Sequence, residues 1–400
     1  MTISTERLKA EADAMRDALV TTRRDFHAHP ELGFQETRTA GIVARRLSEL
    51  GFETQTGIGK TGVVGVIEGA SSEGETLLLR FDMDALPIDE QVDVDFKSQT
   101  PGVMHACGHD AHTAIGLGVA ELLARHREHW HGVAKFVFQP AEEIVSGALA
   151  MIDDGVLQNP APTRSLSMHV SSMDRVGKVM MTTGPTMAIA DKFEIVLRGR
   201  GAHGASPHLG RDPIVATAQI VSALQTIVSR TINPLDESVV TVGYIHGGTV
   251  GNIIPDSVTL GGTMRSFRDE VALQIRERIT ALAQGIATAM GCEATLWFPE
   301  VYNPATVNHA AMSDLVRNRA RQLVGADNLS DDYRTMGAED CAHFLKAAPG
   351  AYVFIGAAVD AEEKKNEPHH SPRFEINEDS LPLSVALITG TALDMLARNK

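Results

Sequence analysis

The stretch Thr76-Leu77-Leu78-Leu79-Arg80-Phe81-Asp82-Met83-Asp84-Ala85-Leu86-Pro87 runs an apolar segment directly into two carboxylates. Its first part, Thr76 to Phe81, reads as a strand. Asp82 and Asp84 follow at the strand's carboxyl end, and their alternation turns both to the same side. Ligands of open α/β sheets sit at that end. Two aspartates there also serve as turn formers and caps, so this stretch alone leaves ligand binding and local structure as equal alternatives. Upstream, Gly62 to Ile67 sets Val63, Val64, Val66 and Ile67 among glycines and reads as another strand. Downstream, a strand from Val133 to Phe138 runs into Gln139-Pro140-Ala141-Glu142-Glu143, and a strand from Ser165 to Val170 holds His169 in its tail. Three successive strand ends deliver polar groups, a coincidence that outweighs any one motif.

Between the first two of these strand ends lies Met104-His105-Ala106-Cys107-Gly108-His109-Asp110-Ala111-His112, dense in imidazole and thiol groups. Cys107 and His109 are two apart, so a helix would send them to nearly opposite faces. An extended or looped backbone points both one way, and Gly108 permits the irregular turn. Thiolate and imidazole together suit a borderline-soft divalent metal. The alternatives are a buried free cysteine beside structural histidines, or a cysteine nucleophile paired with His109 or His112. Separate stretches offer the missing metal donors. The adjacent carboxylates Glu142 and Glu143 point in different directions, so one can bind metal while its neighbour works on a water. Glu367-Pro368-His369-His370-Ser371-Pro372 carries a histidine pair on a Pro-flanked loop from which an imidazole can be aimed. A metal site is the expectation.

Helical spacing marks the flanks. Leu8, Ala12, Met15, Leu19 and Phe26 predict an amphipathic helix from Glu6 to about Ala28, and a second runs from about Glu36 to Leu50. Ile115, Val119, Leu122 and Leu123 continue the His/Cys cluster as a helix. His27 and His29 read as packing or hydrogen-bonding groups. Beyond Gly184-Pro185 the rhythm changes to strand Lys192 to Leu197, helix Pro213 to Arg230, strands Ser238 to His246 and Ser257 to Phe267, helix Asp269 to Met290, and strand Cys292 to Phe298. A βαββαβ order is ferredoxin-like. From about Val301 the α/β pattern resumes, with helices around Asn308 to Leu323, Ala338 to Lys346 and Ser380 to Ala397, and a strand from Ala351 to Ile355. The expected architecture is α/β: a mixed-sheet catalytic domain in residues 1–185 and 300–400, interrupted by a ferredoxin-like domain in 186–299.

The formal charge of −15 on 400 residues excludes nucleic acid as a partner, because no stretch supplies a basic face. The pairs Arg23-Arg24 and Lys364-Lys365 read as ordinary solvated surface. Cys107, Cys292 and Cys341 are odd in number and far apart, which fits reduced thiols in the cytoplasm. Met1 to Lys9 contains no apolar run of the signal-peptide kind, and nowhere do eighteen apolar residues follow one another, so no membrane partner is expected.

Taken together, Arg24-Asp25-Phe26-His27-Ala28-His29-Pro30-Glu31-Leu32-Gly33-Phe34, Asp82 to Pro87, Cys107 to His112, Gln139 to Glu143, Asn252-Ile253-Ile254-Pro255-Asp256 and His370-Ser371-Pro372 resemble the hippurate hydrolase and auxin-conjugate amidohydrolase family. That family is a branch of the dinuclear metallopeptidases. The resemblance spans nearly the whole chain and implies a metallopeptidase catalytic domain with an inserted lid and dimerisation domain. It implies two divalent metals, with zinc, manganese, cobalt or nickel all admitted by the mixed ligation, held by Cys107, His109, Glu143, His169 and His370. It implies Glu142 as general base, Asp84 as the carboxylate that orients a metal ligand, and His203 as the group that reaches the scissile carbonyl, supplied by the partner of a homodimer. Arg265 and Asn252 are candidates for substrate contact. Asp82 lies where relatives outside this branch carry a metal-binding histidine. Two positions depart from the pattern: Ala202 stands where a glycine is usual, and Cys341 stands where an aromatic is usual. The implied reaction is hydrolysis of an N-acyl amino acid, with a dipeptidase, a short-chain N-acetyl amino acid deacetylase and a thiol amidase using Cys107 as its rivals.

Overall fold

The computed structural model describes residues 3–360, 362 and 365–397. Met1 and Thr2 of the N-terminal stretch read above, Lys364 of the basic pair, and residues 398–400 of the expected catalytic domain lie outside the described residues. The chain forms two compact units. One comprises Met1–Thr186, Thr306–Arg334 and Asp340–Lys400; the other comprises Met187–Ala305 and Thr335–Glu339.

The first unit is built on a mixed eight-stranded sheet. Its strands are β1 (Glu53–Ile58), β2 (Gly62–Glu68), β3 (Thr76–Asp82), β4 (Val133–Gln139) and β5 (Arg164–Arg175), with Gly350–Ala358 and the short pieces Val179–Met180 and Leu329–Ser330. The order across the sheet is β1, β2, β4, β3, β5, Gly350–Ala358, Val179–Met180, Leu329–Ser330. β3 pairs parallel with both β4 and β5, and Gly350–Ala358 pairs parallel with β5. β3 and β4 are buried along their whole length, as central strands covered on both faces must be. Leu77, Leu79, Phe81, Phe136 and Phe138 share one core with Ile115, Val119 and Leu122 of the helix His109–Arg125 and with Leu381 and Val385 of the helix Ser380–Leu396.

Local differences from the sequence reading have local causes. The expected single N-terminal helix is two, Thr5–Ala14 and Arg16–Ala28, because Met15 leaves the helical path at ψ −3° while its amide still reaches the Ala12 carbonyl. β1 had no counterpart in the reading. It is a mostly exposed edge strand whose polar Glu53-Thr54-Gln55-Thr56 carries no apolar alternation. The helix expected from Ala338 to Lys346 forms only over Ala342–Ala347. Among the described residues no helix is long and apolar enough to cross a membrane.

The second unit is a four-stranded antiparallel sheet in the order Ser238–Gly247, Ser257–Ser266, Ile189–Arg198, Glu293–Trp297. Lys192 to Leu197 thus belong to this sheet. Ile220 and Leu224 of the helix Pro213–Thr226, and Ile275 and Ile279 of the helix Asp269–Ala289, pack with Ile195, Leu197, Leu260 and Met264. The order of elements along the chain and across the sheet is the ferredoxin-like one. Asp212 caps the first helix by accepting from the Ile214 and Val215 amides. That helix was expected to reach Arg230, but its last turn widens into a π-helical stretch at Ile227–Thr231. Outside the sheet, Ala202–His203 pairs with Ile253–Ile254 in a small antiparallel ribbon.

Candidate metal centre

Because β3, β4 and β5 run parallel in adjacent positions, their carboxyl ends come together and bring Asp82 and Asp84, Gln139 to Glu143, and the His169 segment of β5 to one region. The His/Cys stretch enters the same region through Gly108, whose φ of +87° ends the loop and opens the helix His109–Arg125. A Cβ at Gly108 would stand 2.5 Å from the Val170 side chain, so glycine is required twice over. Cys107 and His109 are both buried.

Among the described residues, groups of donor atoms whose members lie within 4.8 Å of one another include Cys107 with Glu143 and His370, His109 with Glu142 and Glu143, Cys107 with His169 and His369, and His109 with His112 and His169. Cys107 and Glu143 each belong to two groups and link the set into a chain. Hydrogen bonds fix what the imidazoles can offer. His109 Nδ1 donates to Asp84 Oδ1 at 3.2 Å, which leaves the Nε2 lone pair for the cluster. His169 Nδ1 donates to the Val170 carbonyl at 2.6 Å and likewise keeps Nε2, 3.5 Å from the Cys107 sulfur. Asp84 Oδ2 also accepts the Glu143 amide at 3.0 Å, so one carboxylate orients two of the donors.

His112 lies in the same region but is consumed. Its Nδ1 donates to Asp82 Oδ1 at 2.6 Å and its Nε2 accepts the Val170 amide at 3.0 Å. Asp82 in turn takes Arg80 at 2.6 Å, and His109, His112 and Arg80 together hold it well below the usual carboxylate range against the opposing effect of burial. Asp82 is therefore a buried strut between β3, the helix His109–Arg125 and β5. Arg80 and Gln139 also bond each other at 2.8 Å, and Gln139 donates to Asp340 at 2.6 Å.

Burial pushes the Cys107 thiol well up, helped by the neighbouring Glu143 carboxylate, and pushes the Glu143 carboxyl up as well. It pushes His169 well down, helped by His112. Among the described residues, His109 Nε2 and Glu143 Oε1 are buried without a hydrogen-bond partner. An orphaned buried polar atom costs about 1–3 kcal/mol. A divalent cation would satisfy both and would favour the thiolate and carboxylate forms that burial alone disfavours. The residues present fit such an ion.

Of the residues singled out in the sequence, Cys107, His109, Glu142, Glu143, His169 and Asp84 meet here. His370 arrives from a loop at φ +67°, with its amide on the Ala106 carbonyl and its Nε2 3.4 Å from Glu143, while remaining half exposed. Its neighbour His369, not singled out, is the more buried of the two, 3.7 Å from the Cys107 sulfur and accepting the Ser172 amide. Burial pushes it down to about 3. A histidine pair on one loop was the only available hint. His203, Asn252 and Arg265 belong to the second unit. There His203 is exposed on the ribbon, where Gly204 donates its amide to the Asn252 carbonyl, and Arg265 is half-buried with its guanidinium on the Met264 carbonyl. Ala202 occupies ordinary strand backbone in that ribbon, so an alanine is accommodated without strain. Cys341 is fully buried at the start of the helix Ala342–Ala347.

Residues 78–394 match the model of peptidase family M20/M25/M40. The chain is 38% identical over 387 residues to IAA-amino acid hydrolase ILR1-like 4 of Arabidopsis thaliana, covering 96% of this chain and 87% of that one. It is 36% identical over 401 residues to N-acetyl-L-cysteine deacetylase of Bacillus subtilis, covering 100% and 93%. Among solved structures, the Bacillus subtilis YXEP protein, described as a dinuclear metal binding peptidase from the M20 family, superposes with a TM-score of 0.83 at 34% identity, covering 96% of this chain and 99% of that one. The chain belongs to peptidase family M20/M25/M40 and is a metal-dependent amidohydrolase.

Proposed function

We propose that this enzyme hydrolyses the amide bond of N-acyl amino acids, giving a carboxylic acid and an amino acid. The observation that carries the reading is the buried Glu142 carboxylate standing within 4.8 Å of the donor atoms of His109 and Glu143, an acid/base group set against a cluster that suits a cation. In this reading Cys107, His109, Glu143, His169 and His370 hold two divalent ions, of zinc, manganese, cobalt or nickel. Bound there, such ions would polarise the scissile carbonyl and acidify water. Glu142 takes the proton of the attacking water and delivers it to the leaving nitrogen. Asp84 keeps His109 in the tautomer that presents Nε2. The second unit serves as lid and dimerisation domain, and the partner subunit's His203 donates a hydrogen bond to the carbonyl oxygen. Support for a donor comes from its Nδ1, which accepts the Ala205 amide at 3.0 Å and so leaves the proton of the neutral ring on Nε2. Arg265 pairs the substrate carboxylate and Asn252 contacts the substrate. Cys107, Cys292 and Cys341 form no disulfide, which supports placement in a reducing cytoplasm.

The name of the N-acetyl-L-cysteine deacetylase relative favours a second reading, removal of a short acyl group. A dipeptidase on the same fold and a thiol amidase using Cys107 are the remaining rivals. Metal-free protein reconstituted with each of the four ions and presented with indoleacetyl, benzoyl and acetyl amino acids and with free dipeptides separates them. The proposal expects turnover restored by metal and highest on the bulky acyl conjugates. Preference for acetyl amino acids or dipeptides would transfer the assignment, and full activity after chelation would point to the thiol.

A further inference from the structure

The segment that displays Glu142 and Glu143 folds back on itself. Ala141 has φ +52° and Val145 φ +55°, both left-handed without being glycine, and the Val145 amide closes on the Glu142 carbonyl at 2.7 Å. Such backbone persists only where the surroundings impose it. Three buried carboxylates from distant parts of the chain grip this segment by its amides. Glu36 Oε1 accepts Ala141 N–H at 2.8 Å, Asp84 Oδ2 accepts Glu143 N–H at 3.0 Å, and Asp340 Oδ2 accepts Ala148 N–H at 3.0 Å. Glu36 is fully buried, and its other oxygen is fixed by the Thr61 hydroxyl at 2.5 Å. A few residues before it, Gly33 closes on the same point, where a Cβ would meet Ala141 Cα at 3.1 Å.

We propose that Glu36 is a positioning residue for the glutamate pair, holding Ala141 in its left-handed conformation so that Glu142 and Glu143 leave the loop in the directions their separate tasks require. The proposal rests on the reading of Glu142 as the acid/base group and Glu143 as a metal donor. Glu36 itself touches neither substrate nor donor cluster: its partners are a backbone amide and a hydroxyl. Displacement of a reacting group by about 1 Å commonly costs ~10²-fold in rate, so a residue that only aims Glu142 still governs turnover.

The test compares Glu36→Gln, which keeps an acceptor for the Ala141 amide, with Glu36→Ala, which removes it, and with Thr61→Val, which frees the carboxylate from its anchor. The readouts are hydrogen exchange of the Ala141 and Glu143 amides in metal-free protein, cobalt affinity, and kcat and KM separately. Glu36→Ala should speed exchange at Ala141 by ~10-fold or more and lower kcat by ~10–10²-fold, with KM within about threefold. Glu36→Gln should restore both to near wild type, and Thr61→Val should fall between. A mere stability role would lower the melting temperature of Glu36→Ala while leaving kcat per metal-loaded molecule and Ala141 protection unchanged, and that result overturns the proposal. Glu142→Gln is run beside them. If it is inactive while Glu36→Ala is fully active, positioning alone is refuted; if Glu142→Gln itself turns over like wild type, the reading of the pair is refuted and positioning with it.

Discussion

Asp84 offers the sharpest test of how the cluster is prepared for a cation, because a single atom change reverses one hydrogen bond. In Asp84→Asn one carboxylate oxygen becomes an NH2 group, while the two donors it faces, His109 Nδ1–H at 3.2 Å and Glu143 N–H at 3.0 Å, remain. If the amide oxygen stays on the Glu143 side, the new NH2 meets His109 and favours the tautomer with its proton on Nε2, the atom that faces the cluster. If the amide flips, NH2 opposes the Glu143 N–H instead and the segment carrying Glu143 is disturbed. In the metal-bound state, where Nε2 must give up its proton and Nδ1 must carry one, either arrangement leaves one buried donor without its acceptor, worth about 1–3 kcal/mol. Charged to the metal-bound state, that is a fall in affinity of roughly 5- to 150-fold at 1.4 kcal/mol per decade. Asp84→Ala orphans both donors, for about twice the free energy, and lowers the melting temperature as well. Competition of zinc or manganese against a chromogenic chelator reads the affinity directly and needs no substrate. Asp84→Asn binding within twofold of wild type would show that Asp84 does not set the His109 tautomer.

Three further outcomes are expected. Glu142→Gln should keep its metal and lose ~10²-fold or more in kcat, while Glu143→Ala should lose metal; the opposite pattern in metal analysis reverses the two roles. His203→Ala should stay folded and metal-loaded, change KM modestly, and lose ~10²–10³-fold in kcat. Mixing it with Glu142→Gln protein should recover part of the activity if the donor comes from the partner subunit, and kcat near wild type at saturating substrate would make His203 a plain surface residue. His370→Ala should release metal, whereas His369→Phe should retain it and move the affinity by less than tenfold; equilibrium dialysis giving the reverse order would exchange the two assignments.

The α/β frame was legible because β3 and β4 are short apolar runs that stop in polar clusters, and the insert because its two helices carry clear start signals and a changed element order. β1 was not legible, since an edge strand that buries little is under no pressure to show an apolar pattern. The break at Met15 was hidden for a related reason. Leu8, Ala12, Leu19 and Phe26 are all buried, so the apolar spacing passes through the interruption without a flaw.

The cluster was legible as chemistry and illegible as commitment. His109 and His112 sit three apart on one helix and look interchangeable in a sequence, yet one keeps Nε2 open and the other has both ring nitrogens engaged, by Asp82 and by the Val170 amide. The difference is set by which strand end each ring meets, a property of the parallel pairing of β3 with β5 and not of the local sequence. The same holds for the carboxylates. Glu36, Asp84 and Asp340 come from three distant parts of the chain and converge on the amides of one segment only after the sheet has formed. Donors could therefore be read before the fold was known, whereas of the groups that decide which lone pair each donor presents only Asp84 was named, and that through the resemblance and not through spacing. Apart from the bond of His169 to the adjacent Val170 carbonyl, those deciding bonds link residues 25 to 192 positions apart, a separation that no spacing argument reaches.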